Sequence, residues 1–159
     1  MHKKLIAVFA ALMVSVAANA QFEKGKMYVG ASLSGLDLSC NGAGNGKYAI
    51  GALGGYMFED NMMLTGHLGL NHHDGGTDYL LGAGYRYYMP KNGIYLGASL
   101  KYVKESGVYD DLMPGIQVGY SFFLNGKVTI EPELYYDHAL FNFSDYSTVG
   151  FRLGIGIYL

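Results

Sequence analysis

Three groups of side chains in this 159-residue chain are of types that could do chemistry. The first is Glu131-x-Glu133, two carboxylates two residues apart, with the bases Arg86, Lys101 and Arg152 elsewhere in the chain. Paired carboxylates can share acid and base roles when one of them is held protonated. The second is His72-His73-Asp74, which offers two imidazoles and a carboxylate to a metal ion but no convincing third ligand in a fixed place. The third is His138 with Ser144, Asp145 and Ser147, the residue types of a serine hydrolase without a spacing that defines one. What each group can do depends on which elements carry it and which way those elements face.

Those elements read as strands. Eight runs alternate bulky apolar residues with Gly, Ser, Thr or a charge: residues 26–35, 47–58, 62–70, 78–89, 94–104, 112–124, 127–137 and 149–159. A period of two is the signature of a strand. In the fourth run Tyr79, Leu81, Ala83, Tyr85 and Tyr87 oppose Gly82, Gly84 and Arg86. In the seventh, Val128, Ile130, Pro132, Leu134 and Tyr136 oppose Thr129, Glu131, Glu133 and Tyr135; in the last, Phe151, Leu153, Ile155, Ile157 and Leu159 oppose Gly150, Arg152, Gly154, Gly156 and Tyr158. Short turns at 59–61, 90–93 and 125–126 alternate with longer connections at 37–46, 71–77, 105–111 and 138–145. Asn125-Gly126 predicts a primed hairpin turn, and Pro132, with no N–H to donate, predicts a bulge or locally broken pairing.

Residues 1–20 form an expected signal peptide: Lys3 and Lys4, an apolar run over 5–18, and Ala18-Asn19-Ala20 as a cleavage site. The run is shorter than the ~20 residues of a spanning helix. Residues 21–159 then form one domain. Losing Lys3 and Lys4 takes Lys+Arg from 11 to 9 against 13 Asp+Glu, a formal charge of −4, which argues against a nucleic-acid partner. Cys40 is the one cysteine, so no intrachain disulfide can form. With 24 Gly, 15 Tyr and 8 Phe, and no later apolar segment long enough for a spanning helix, the chain can enter a membrane only as a closed barrel.

The faces are assigned by volume. An eight-stranded lumen has little room, so the Tyr/Leu/Ile/Phe face is expected outward and the Gly/Ser/Thr face, with Arg86, Lys101, Glu131, Glu133 and Arg152, inward. Outward Tyr56, Phe58, Tyr85, Tyr87, Tyr120 and Phe122 then form one aromatic girdle, and Tyr48, Tyr79, Tyr102 and Tyr136 the other. The inward charges read as a polar plug in preference to a catalytic pair, since buried charges must be paired. In this reading Arg152, on the strand next to the glutamates, is their counter-ion, and His67 is another lumen residue.

The chain end, Arg152-x-Gly154-x-x-Ile157-x-Leu159, resembles the C-terminal insertion signal of outer-membrane β-barrels, with Leu where that family usually has Phe or Trp. Together with Ile130-Glu131-Pro132-Glu133-Leu134, similar to the family's penultimate strand, it makes the chain resemble the small eight-stranded barrels of the OmpA/OmpX-like superfamily, within the outer-membrane β-barrel domain family. The resemblance implies an all-β, antiparallel up-and-down barrel in the bacterial outer membrane with both termini periplasmic. It implies contact with outer-membrane lipid and lipopolysaccharide, and with the barrel-assembly machinery through Arg152, Gly154, Ile157 and Leu159. The expected protein is monomeric, with no cofactor, no metal and no catalytic residue, and a structural or surface-interaction role exercised through residues 37–46 and 138–145. Two other readings stand beside it: a lipid A-modifying acyl hydrolase or transferase, because such enzymes share the architecture, and a narrow small-solute pore.

Overall fold

The computed structural model describes residues 22–34, 48–73, 76–90, 92–105, 109–140 and 148–159. The expected signal peptide, the 37–46 connection with Cys40, Asp74, Ser144, Asp145 and Ser147 all lie outside them. The described residues fold as antiparallel strands: β1 (Met27–Ser34), β2 (Tyr48–Glu59), β3 (Met62–His73), β4 (Gly76–Tyr88), β5 (Ile94–Glu105), β6 (Tyr109–Tyr120), β7 (Phe122–Phe123), β8 (Val128–Asp137) and β9 (Thr148–Tyr158). β6 and β7 are one barrel strand interrupted at Ser121, so eight strands stand around the wall.

Each strand pairs its sequence neighbour, and β1 closes on β9. Following the register from Tyr28 through Gly55, Thr65, Gly84, Ser99, Gly115 and Asp137 leads to Thr148, whereas Tyr28 itself pairs Tyr158. Closure therefore staggers the strands by ten residues. Such a stagger tilts the strands and leaves a lumen that side chains can fill. The barrel begins and ends at the end with the short turns, where Met27 N donates to the Leu159 carbonyl at 3.0 Å and Leu159 N to the Met27 carbonyl at 2.8 Å.

Large apolar residues face outward, as the volume argument requires: Ile50, Leu64, Leu68, Leu81, Ile116, Leu134, Ile155 and Leu159 are exposed on the wall, with Tyr56, Tyr87, Tyr79, Tyr102 and Tyr136. Three local expectations change and a fourth holds. β3 runs to His73 and β4 begins at Gly76, so the 71–77 loop is mostly ladder, held by pairs such as Asn71 with Asp78. The 105–111 loop likewise shortens, with Glu105 paired to Tyr109. At Asn125-Gly126 neither residue has the positive φ a primed turn needs, and a three-residue loop between Leu124 and Val128 is held by the Asn125 carboxamide oxygen, which accepts from the backbone N–H groups of Lys127 and Val128 at 2.8 Å each. An Asx turn thus replaces the strained backbone. At Pro132 the expected locally broken pairing is present: its pairing with Leu153 lies in continuous register without a bulge, and on its other side the ladder breaks opposite Tyr120 and Ser121. There Ser121 N turns to the Gly93 carbonyl at 2.8 Å.

A candidate site in the barrel lumen

Pairing positions across the sheet give the lumen its layers. At the short-turn end lies an apolar plug of Met57, Met63, Tyr88, Phe123 and Tyr158, with Phe22 brought in from the segment before β1. Phe22 stacks on Tyr88 with centroids 4.1 Å apart and meets Phe123 and Tyr158 edge-on at 5.6 and 5.7 Å. Stacked and edge-on rings are the favoured aromatic geometries. Phe22 is held there by backbone: its carbonyl accepts from Asn61 N at 2.8 Å, and Asn61 takes the left-handed φ of 62° that the β2–β3 turn requires.

The sequence reading did not foresee this layer. Inward glycines make it possible. The Tyr28 ring lies over Gly30 and Gly156, the Tyr95 ring over Gly119, and the Met63 thioether over Gly55, where a Cβ would collide with them. These glycines are not voids in the wall; they are seats for larger neighbours.

Above the plug sits the ionic cluster, and its centre is Arg86. Its Nη1 donates to Glu131 Oε2 at 3.0 Å and its Nη2 to Glu133 Oε2 at 2.9 Å, all three side chains being buried. The guanidinium also lies 4.3 Å from the Tyr95 ring centroid. Glu131 is saturated: Oε2 also accepts from Tyr28 OH at 2.9 Å, and Oε1 from Thr129, Ser121 and Tyr158 hydroxyls at 2.9, 3.1 and 3.3 Å. Glu133 Oε2 accepts from Tyr95 OH at 2.9 Å. Arg152, expected as the counter-ion, is secondary: its Nη1 stands 3.4 Å from Glu133 Oε1 and its side chain is 17% exposed, against 4% for Arg86. Adjacency of strands suggested Arg152, but Arg86 reaches both glutamates from across the lumen. Lys101 is apart from this group and pairs instead with Asp137, Nζ to Oδ1 and Oδ2 at 2.8 and 2.7 Å. Asp137 is a site residue the sequence reading passed over, because it ended a predicted strand.

Over this floor opens a cavity lined by His67, Lys101, Tyr135, Asp137 and Arg152 below and by Leu53, Leu80, Val103 and Met113 on its walls; its ≈290 Å³ also takes in space against the outward Ile50, Leu68 and Leu70. His67 Nε2 and Thr65 Oγ1 share a hydrogen bond at 3.1 Å.

His138 stands on the outer wall with Nδ1 3.0 Å from Tyr136 OH. The backbones of His72 and His73 belong to β3, and among the described residues no group of three His, Cys, Asp or Glu side chains comes together to hold a metal. In the terminal motif Arg152 faces the lumen, Gly154 is buried opposite Glu131, and Ile157 and Leu159 face outward.

A profile described as "Outer membrane protein beta-barrel domain" matches residues 6–159. No curated protein is significantly similar in sequence. Solved structures share the fold. The N-terminal β-barrel domain of Pseudomonas aeruginosa OprF superposes with a TM-score of 0.66 at 16% identity, over 86% of this chain and 98% of that one. Yersinia pestis Ail gives 0.57 at 12% identity, over 86% and 100%. Pseudomonas aeruginosa OprG gives 0.55 at 15% identity, over 89% and 99%.

Proposed function

The chain belongs to the outer membrane protein β-barrel domain family, and from that premise we propose that it is a non-enzymatic, non-conducting barrel of the bacterial outer membrane, with a structural role or one exercised through contacts at its surface. The observation that carries this reading is the lumen. A solute path would have to cross first the buried Arg86, Glu131 and Glu133 and then the plug of Phe22, Tyr88, Phe123 and Tyr158. Eight strands leave no width beside such side chains.

The enzyme reading has less support. Its histidine, His138, is bonded to Tyr136 on the lipid-facing side, and the two glutamates are both engaged by Arg86 rather than poised as acid and base. With the short turns and both barrel ends facing the periplasm, the opposite strand ends, such as Asp137 paired with Thr148, face the exterior, and we assign surface contacts to residues 37–46 and 138–145. The apolar wall takes lipid and lipopolysaccharide, the protein is a monomer, and the terminal strand with Arg152, Gly154, Ile157 and Leu159 is what the assembly machinery grips. Planar-bilayer recording and lipid A mass spectrometry of expressing cells test the function: silent bilayers and an unchanged acyl pattern are expected. Steady single-channel currents would establish the pore instead, and an acyl change abolished by His138→Ala the enzyme.

A further inference from the structure

The upper lumen has the build of a binding site rather than of packing. Among the charged groups that line the cavity, Arg152 is the least served. A guanidinium has five N–H donors, yet this one makes no hydrogen bond to any described residue; it has an ion pair at 3.4 Å and one face covered by the Tyr135 ring at 4.3 Å. Its edge borders the ≈290 Å³ cavity. Even with the part of that volume that lies against the outward Ile50, Leu68 and Leu70 set aside, the space is polar on its floor and apolar on its walls, and barrel mouths are a common place for small-molecule pockets. Leu80, Val103 and Met113 give the cavity an apolar wall, while the plug shuts it below.

Charge decides the head group. The cations bordering the cavity, Arg86, Lys101 and Arg152, are matched by Glu131, Glu133 and Asp137 on the same floor. An anionic head brought to Arg152 would face Glu133 and Asp137, and a cationic head would face Arg152 and Lys101. Either would add an uncompensated charge beside groups that are buried and already paired. An uncharged acceptor satisfies the open N–H edge without disturbing the balance.

We infer that the upper lumen binds one small uncharged molecule with a hydrogen-bond acceptor on an apolar body, the acceptor on the Arg152 guanidinium and the body against Leu80, Val103 and Met113. The barrel would then be a blind cup. This goes beyond the surface role proposed above and does not depend on it.

The test uses the full barrel in lipid nanodiscs with labelled methyl groups, titrated with benzamide and with benzoate and benzylammonium, which have nearly the same shape. Saturable shifts of the Met113, Val103 and Leu80 methyls with benzamide are expected, with both ions binding about tenfold more weakly or worse. Val103→Trp, which fills the cavity, should abolish the response, and Arg152→Gln should weaken it. Should Arg152→Gln fail to assemble, Val103→Trp still decides. Shifts that never saturate or appear only at the outward Leu64 and Leu134, an ion that binds as well as benzamide, or a response unchanged in Val103→Trp would each overturn the inference.

Discussion

The lower and upper halves of the lumen are filled by different means. Below, the rings of Phe22, Tyr88, Phe123 and Tyr158 meet at 4 to 6 Å, with Met63, Tyr28 and Tyr95 on glycine seats beside them. Above, Arg152 has an ion pair and a ring beside a cavity. Between them Arg86 ties two glutamates together, and Tyr158 links the layers, its hydroxyl lying within hydrogen-bond distance of both Tyr88 OH at 3.0 Å and Glu131 Oε1 at 3.3 Å. The lower half is therefore organised to close the barrel, and the upper half keeps polar groups available. Stability should reside mainly in the waist and plug, and mutations there should cost more than mutations of the same kind above.

The largest expected effect tests the waist. Arg86→Ala leaves Glu133 with Tyr95 OH and a distant Arg152, and removing one partner of a buried ion pair costs about 3 to 5 kcal/mol. Arg152→Ala should cost about 1 kcal/mol, as for a partly exposed pair. Urea midpoints of refolded barrels measure both. Adding Glu133→Gln to Arg86→Ala should recover part of the loss, and equal costs for the two arginines would erase the distinction between waist and cup.

Next comes the plug. Phe22→Ala removes a ring packed against three others and should cost about 3 kcal/mol, the lower part of the range for a buried phenylalanine, since the segment that carries it can shift. A midpoint indistinguishable from wild type would mean that the lower end is shut without it.

The contrast also explains what the sequence could reveal. Alternation placed every strand and the wall's apolar face, because a period of two is local. It could not show level. Whether Arg86 or Arg152 meets the glutamates is decided by the ten-residue stagger of closure, which no single strand encodes. The plug was hidden for a related reason. Tyr87-Tyr88 and Phe122-Phe123 put an aromatic on both faces; the pattern sent Tyr87 and Phe122 outward but did not show that the inward Tyr88 and Phe123 meet at one level, and Phe22 precedes the first strand and has no period to read. Asn125-Gly126 gave the place of a turn but not its type, since the Asn125 side chain offered the backbone an alternative.

Glycine substitutions sharpen the comparison at a smaller scale. A Cβ on Gly156 would run into the Tyr28 ring, so Gly156→Ala should cost about 1 to 3 kcal/mol as overpacking. Gly54 faces outward with nothing near its Cβ position, and Gly54→Ala should lie within about 0.5 kcal/mol of wild type. Equal shifts in urea midpoint would imply that the Tyr28 ring moves aside freely.

The smallest expected effect asks what holds the plug segment in place. Lys24, two residues after Phe22, bonds Glu59 through Nζ at 3.1 Å and Asp60 through its backbone N–H at 2.9 Å. The side chains of the ion pair are 60% and 55% exposed, so water and salt screen it, and holding two long side chains still offsets most of the attraction. Lys24→Ala keeps the backbone bond to Asp60 and should cost at most about 0.5 kcal/mol, with no dependence on added salt beyond that of wild type. If the segment were clamped by charge, Lys24→Ala would approach Phe22→Ala and its effect would shrink in high salt. A several-fold gap between the two, insensitive to salt, would assign the seating of this segment to the burial of one aromatic ring.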